Sequence, residues 1–304
     1  MATLEGRRAP TAGRQILDPR TAYPRPPFPR QGQTLPGRDS LLDPQPDHGE
    51  RSYVGHGLLG GLATIVTGAD SGIGKAVALA FAREGADVEI AYLDAHDDAR
   101  QTVDLVKAEG RRAIAIPGDL QDEQYCRRII EQTSDELGRI DVLVNNAAHQ
   151  QRFHAVEDVS TEEWERTLRT NLTATFWMCR EAVERMQPGA SIINVSSIQA
   201  RDPSANLLAY ATTKGALVTY SQALSGMLAS RGIRVNVVAP GPVWTPLVAA
   251  TTDPEKLSKF GGDTPLGRPA QPAELAPAFV FLASPGASYI TGAVIPVTGG
   301  ELFG

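Results

Sequence analysis

Tyr210 and Lys214 stand four residues apart in Tyr210-Ala-Thr-Thr-Lys214, so on a helix both side chains project from one face. A cation held beneath a phenol favours the phenolate and draws a pKa normally near ~10 toward the working range of a general acid or base. Ser197 lies upstream of this pair, and a glycine-rich run, Thr67-Gly68-Ala69-Asp70-Ser71-Gly72-Ile73-Gly74, lies near the start of the chain's apolar region. Glycines between a strand and a helix let the backbone approach a pyrophosphate resting on the positive helix N-terminus. A proton donor and a dinucleotide cradle in one chain point to hydride transfer, in which charge develops on a carbonyl oxygen and a proton must be delivered to it.

These residues need a scaffold, and the sequence supplies one. Leu62–Val66 reads as a short apolar strand and Lys75–Glu84 as a helix with Ala76, Ala80 and Phe81 turned inward. Further strand-like runs at Val88–Ile90, Ala113–Ile116, Val142–Val144, Ile192–Val195, Val235–Val238 and Val294–Pro296 alternate with helix-length segments. Continuous apolar runs of this kind suit a parallel sheet buried on both faces, so the expected fold is α/β, a Rossmann-type doubly wound parallel sheet. Ser160-Thr161-Glu162-Glu163 reads as a capping box, Ser160 as N-cap and Glu163 at the third position, opening a helix through Trp164 and Met178. Residues 1–57 hold nine of the 22 prolines and no apolar period, which predicts an irregular N-terminal arm before a single domain over 58–304. Its arginines, Arg7, Arg8 and Arg14 among them, are interleaved with Glu5, Asp18 and Asp39, against the composition of a transit peptide.

Read together, Thr67-Gly68-x-x-x-Gly72-x-Gly74, Asp119-Leu120, Asn145-Asn146-Ala147-Ala148, Asn171, Ser197, Tyr210-x-x-x-Lys214 and Pro240-Gly241 resemble the short-chain dehydrogenase/reductase family in type and order. The arm ending Pro46-Asp47-His48-Gly49-Glu50-Arg51-Ser52-Tyr53, followed by Gly-Ala-Asp-Ser-Gly-Ile-Gly, is most similar to the bacterial glucose/ribitol dehydrogenase or aldehyde reductase branch. The resemblance implies an NAD(P)-dependent oxidoreductase acting on a sugar, polyol, aldehyde or ketone. Tyr210 would be general acid or base, Ser197 would bond the substrate oxygen, and Lys214 would hold the phenolate and the nicotinamide ribose. Asn171, a poor helix former, would break its helix and anchor a water chain to the lysine. Ser196 is the alternative hydroxyl, and the family spacing selects Ser197.

For the cofactor, the resemblance and the glycine motif assign Gly68, Ser71, Gly72, Ile73 and Gly74 to the pyrophosphate, and Asp119 and Leu120 to the adenine. Asn146, Val243 and Thr245, with Tyr210 and Lys214, fall to the nicotinamide half. Ala148 stands where relatives usually carry glycine. In a Rossmann site an acidic residue ending the second strand binds the ribose, whereas a cation there takes the phosphate of NADP. Tyr92 holds that position here, Leu93 follows, and Asp94 is either displaced ribose ligand or helix N-cap. No Lys or Arg occupies 70, 71 or 93, so the expectation leans to NAD with NADP open. Gln150, Gln151, His154, Gln199 and a lid-like stretch from Thr245 to Gly267 are candidates for substrate selection.

Composition narrows the alternatives. The net charge of −6 gives no field that would draw the chain to nucleic acid or an anionic membrane. Cys126 and Cys179 are too few for a disulfide framework and lack metal-ligand spacing, and His149 and His154 have no supporting cluster, so no metal is assigned. No apolar run approaches the ~20 residues of a membrane span, and a cytoplasmic location is expected. The family implies a homotetramer built through the helices carrying Asn171 and Tyr210 and through the end of the chain at Tyr289–Val294. The competing readings are a nucleotide-sugar epimerase or dehydratase, for which too little C-terminal chain remains, and a catalytically silent dinucleotide-binding sensor or scaffold.

Overall fold

A computed structural model describes residues 17–303. Arg7, Arg8 and Arg14 lie outside the described residues. The core is one parallel sheet of seven strands: β1 (Ala63–Thr67), β2 (Asp87–Tyr92), β3 (Ala113–Pro117), β4 (Val142–Asn145), β5 (Ser191–Val195), β6 (Arg234–Pro240) and β7 (Val294–Val297). Their order across the sheet is β3-β2-β1-β4-β5-β6-β7, with every pairing parallel. Chain order therefore reverses between β1 and β4, and a ligand crevice opens at the carboxyl ends of the strands at such a switch point.

The apolar runs were legible because the central strands are covered on both sides. Every residue of β1, β2, β4 and β5 is buried. One face packs α1 (Gly72–Arg83), α2 (His96–Ala108) and α9 (Pro272–Ala283) around Val77, Phe81, Val106, Leu275 and Phe279. The other packs α3 (Glu123–Leu137), α5 (Ala174–Arg185) and α6 (Leu208–Leu228) around Ile129, Ile130, Met178, Ala182 and Leu228. Each fully buried Leu, Ile or Phe contributes roughly 1.5–3 kcal/mol on this scale of burial.

α1 begins three residues before the sequence-based boundary, because Gly72 and Gly74 belong to its first turn. It ends where Gly85, at φ 94, takes the left-handed position that stops a helix. The helix read through Trp164 and Met178 is α4 (Thr161–Leu168) and α5, joined by a π-helical stretch at Arg169–Thr173. Only half of the expected capping box forms: Ser160 Oγ accepts from the Glu163 N–H at 3.2 Å, while the Glu163 carboxylate turns to His149 Nε2, 2.6 Å away.

Among its described residues the arm carries one 3-10 turn, Asp39–Leu41, and no other helix or strand. It straps both ends of α1. At the helix N-terminus the buried Asp39 carboxylate accepts from the Gly72 N–H at 3.1 Å, with His48 Nε2 3.0 Å from the same oxygen. At the C-terminus Glu84 accepts from the Tyr53 hydroxyl and the His56 and Leu58 amides. Arg83 there donates to the Glu50 and Tyr53 carbonyls. Tyr53 thus packs against the core.

The stretch after Trp244 holds two short helices, α7 (Pro246–Thr251) and α8 (Pro254–Leu257), and the arm is stapled to it as well. Phe28, Leu42, Trp244, Ala249 and Leu257 form a small separate core. The Phe28 and Trp244 rings lie 4.4 Å apart, and the Trp244 indole donates to the Pro44 carbonyl at 2.8 Å.

Candidate active site

The glycine turn between β1 and α1 is set by contacts that admit no side chain. A Cβ on Gly74 would stand 2.0 Å from the Gly68 carbonyl oxygen, and one on Gly68, at φ 64, would meet the Ala147 backbone at 3.0 Å. Thr67 Oγ accepts from the Asn146 and Ala147 amides, and the Asn146 side-chain NH2 donates back to the Thr67 and Gly68 carbonyls. Asn146 therefore lines the cleft, but its amide is spent on bracing the turn. Ser71, the N-cap of α1, makes no side-chain cap bond. Since Asp39 takes only the Gly72 amide, the Ile73 and Gly74 N–H groups are left for an anion at the positive end of the helix. This is a cradle that fits the pyrophosphate of a dinucleotide.

From that turn a cleft of about 530 Å³ runs along the sheet's carboxyl edge. It is lined by all four proposed catalytic side chains except Asn171, and by Gly68, Ser71, Gly72, Ile73, Asp94, Asp119, Leu120, Asn146, Val243 and Thr245. Gly74 sits beneath the turn instead of facing the cleft. Asp94 is exposed on the cleft wall, and Ala95, not Asp94, is the N-cap of α2, which removes the capping alternative. Tyr92 bonds its hydroxyl to His96 Nδ1 at 2.9 Å. Asp119 caps its own turn through the Gln121 amide.

At the opposite end, α6 presents Tyr210 and Lys214 to the cleft as their spacing requires. Lys214 is 2% exposed; its Nζ donates to the Val195 carbonyl at 2.8 Å and lies 5.4 Å from the centre of the Tyr210 ring. Burial pushes the lysine down to about 7. Burial also pushes the Tyr210 phenol up to about 12, against the pull of the Ser197 hydroxyl and the Arg152 guanidinium. The sequence led us to expect Lys214 to acidify the phenol. In the structure Arg152 is a further cation that draws the phenol down, beside the Lys214 ammonium.

Two neighbouring serines divide their work. Ser196 Oγ donates to the Lys214 carbonyl at 2.7 Å and holds α6 to β5, which leaves Ser197 as the hydroxyl facing Tyr210. Asn171 lies in the π-helical stretch, a departure from the α-helix that recurs at functional sites. Its side chain is bonded both ways to the His149 backbone, at 2.7 and 2.9 Å, and to Thr213 Oγ at 3.1 Å. It thereby ties the loop after β4 to α6, one residue from Lys214.

Of the residues expected to select substrate, Gln150 and Gln199 line the cleft, Gln151 lines a smaller cavity between the arm and α7, and His154 is exposed. Gln150 donates to Thr251 Oγ at 2.7 Å, closing the loop after β4 onto α7. The structure adds Leu35 and Pro36 of the arm, Arg152, Arg166 and Glu301 to the cleft wall. Nothing in the spacing of these residues marks them, since all but Arg166, on α4, reach the site through loops whose path the local sequence leaves open. Both cysteines are free and buried, and no described helix is long and apolar enough to cross a membrane.

A doubly wound sheet with a dinucleotide cradle and a Tyr/Lys/Ser cluster in one cleft defines an oxidoreductase of nicotinamide cofactors. The chain belongs to the short-chain dehydrogenase/reductase family: a family model described as enoyl-(acyl carrier protein) reductase matches residues 68–301. It is 47% identical to the uncharacterized oxidoreductase YhdF of Bacillus subtilis, over 90% of this chain and 94% of the relative. It is 43% identical to glucose and ribitol dehydrogenase of Daucus carota (90% and 96% covered) and 41% identical to a chloroplastic NADPH-dependent aldehyde reductase of Arabidopsis thaliana (88% and 95% covered). Among solved structures it resembles a short-chain dehydrogenase from Burkholderia cenocepacia in complex with NADP, with TM-score 0.75, 30% identity, and 80% of this chain and 98% of that one covered. A blue fluorescent protein from a metagenomic library, in complex with NADPH, matches with TM-score 0.75, 34% identity, and 80% and 98% covered. The branch read from the motifs holds; the lean toward NAD finds no support among these structures.

Proposed function

We propose that this protein is an NADP(H)-dependent carbonyl reductase, working in reverse as an alcohol dehydrogenase, with Tyr210 as its acid and base. The observation that carries the reading is the convergence of Tyr210, Ser197 and Lys214 at one end of the cleft whose other end is the glycine cradle. When bound, the nicotinamide supplies or accepts the hydride at the substrate carbon. As the carbonyl π pair withdraws onto oxygen, Ser197 donates a hydrogen bond to that oxygen and Tyr210 gives it a proton. The phenolate left on Tyr210 faces the charges of Lys214 and Arg152. Asn171 acts through position, holding the loop of His149 against α6.

The phosphorylated cofactor is supported by the relatives above that carry NADP or NADPH in their descriptions. Steady-state KM values for NADPH and NADH with an aldehyde panel test this; a preference for NADH would return the ribose to Asp94. Tyr210→Phe is expected to lower kcat by at least ~100-fold, the scale of general acid catalysis, while the Kd for the reduced cofactor stays within about threefold. Turnover near the parent's rate removes Tyr210 from its role. We further propose a homotetramer, for the reasons given with its test in the Discussion.

A further inference from the structure

Arg152 pulls on the Tyr210 phenol, but the hydride-transfer reading leaves its buried Nε without a partner. It follows the Gln150-Gln151 pair on the loop after β4, and it lines both the main cleft and the smaller cavity beneath the arm. One guanidinium nitrogen is anchored to Asn206 Oδ1 at 3.1 Å, and the same asparagine's carbonyl accepts the neighbouring Phe153 amide at 3.0 Å, so the side chain is held in place. Its Nε is buried with no partner, and no described carboxylate comes within ion-pair distance of it. Arg268, by contrast, is paired with Glu274 at 2.6 Å, and Arg234, which burial also shelters, spends its donors on the Leu282 and Ser284 carbonyls. A sheltered guanidinium cannot shed its charge, so an unmatched one is costly unless an anion arrives.

The remaining charges of the cleft's substrate end do not cancel it. Glu301 faces the same space, but burial first, and then Asp202 and Asp263, raise its pKa toward the neutral acid. His149 is engaged by Glu163. Arg166, exposed on α4, adds a second cation to the same rim.

We propose that the substrate carries an oxyanion, a carboxylate or a phosphate ester, on the carbon chain beside its reacting carbonyl, and that Arg152 is the group that receives it. The proposal rests on the carbonyl reductase reading and narrows its substrate class. Arg152 near Tyr210 also places the anion's receptor beside the proton donor, so binding the anion orients the carbonyl toward Ser197 and Tyr210.

The test is kcat/KM for matched carbonyl pairs with NADPH and with NADH: butanal against succinic semialdehyde for the carboxylate, and glyceraldehyde against glyceraldehyde 3-phosphate for the phosphate. Within at least one pair the anionic member is expected to be favoured by about 10- to 100-fold, the range of a charge-assisted hydrogen bond, carried by KM. The pair that shows it identifies which oxyanion is meant. In Arg152→Gln that ratio collapses toward one, and Arg152→Lys restores part of it. Fluorescence titration of the protein saturated with NADPH, using inorganic phosphate and acetate, reads the same site without turnover. Binding that Arg152→Gln weakens by about tenfold or more supports the proposal.

Turnover of the neutral members with no anion preference overturns the proposal and leaves the reductase reading intact. Failure of every carbonyl compound overturns the reductase reading, and the anion titration then decides for Arg152 alone. Equal anion binding by parent and variant in that titration, with no anion preference in turnover, sinks it.

Discussion

Glu89 stands in the middle of β2 with both carboxylate oxygens buried and unpartnered, surrounded by Ile65 and Ile114 on the adjoining strands and near Tyr125. Burial raises its pKa well above the usual carboxylate range. The folded protein therefore holds this proton at a pH where the unfolded chain has released it. Stability is full below the unfolded pKa near 4.5 and declines as pH rises toward the folded value. Glu89→Met, which keeps the shape and removes the acid, is expected to raise stability by about 1–3 kcal/mol at pH 8 and to flatten the decline, measured by urea unfolding across pH. An unchanged slope would mean that Glu89 finds a partner in solution. At this scale the sequence revealed what a single element carries. Tyr210 and Lys214 share one helix, so their spacing alone places them, and the glycines of the β1–α1 turn are demanded by contacts within that turn. Arg152 was invisible because its partner Asn206 and its neighbour Tyr210 lie on another segment.

The arm is the element whose role sequence reasoning saw least clearly, since proline-rich chain without period gives no sign of what it will touch. The buried group at its centre is His48. Burial pushes its pKa down, but bonds to Asp39 and Glu50 outweigh this and raise it, with Lys75 opposing weakly. Burial likewise pushes Glu50 up, yet its contact with His48 holds it at about 2. A histidine raised in the folded state lends stability that is complete below pH 6.5 and is lost as pH climbs through the folded pKa. His48→Gln is expected to abolish that loss and to lower the melting temperature at pH 6, because Asp39 then caps α1 without its counterion. Thermal unfolding between pH 6 and 9 distinguishes this from an arm that merely rests on the surface, for which the two proteins would follow parallel curves. Substituting Asp39 by Ala removes a helix cap, a loss of about 0.5–2 kcal/mol, and leaves the buried His48 with Glu50 alone. Elsewhere the element boundaries followed the apolar runs to within a few residues. The π-helical break at Asn171 was anticipated as an interruption, though not as a widened turn.

Over the whole molecule the exposed apolar residues are unevenly placed. Met227 at the end of α6 is 74% exposed, Tyr289 beside the edge strand β7 is fully exposed, and Phe176 and Phe281 stand half-open on α5 and α9. β7 has one free edge, an unpaired row of amides and carbonyls of the kind that invites another copy. Apart from Phe281 on α9, these surfaces lie on the helices and the terminal segment through which a tetramer was expected from family resemblance. Light scattering is expected to give a mass of about four times 32.4 kDa, and the double substitution Met227→Glu and Tyr289→Glu to reduce it to smaller species without unfolding. A parent chain that runs as a monomer would overturn the assembly.

The strap joins the chain's beginning to its far end. Its hydrogen bonds span 200 residues from Trp244 to Pro44, 224 from Asp47 to Gln271 and 249 from Arg268 to Pro19. Translation delivers the arm first, so its bonds to α1 at Gly72, Arg83 and Glu84 are within reach early, whereas its partners Trp244, Arg268 and Gln271 come nearly last. Full docking of the arm therefore waits for the chain beyond Trp244, and the arm lines one wall of the cleft at Leu35 and Pro36. A chain released before Trp244 carries the glycine motif, both residues of the Tyr/Lys pair and the Asp39–Gly72 bond, yet lacks the partners of Pro44 and Asp47.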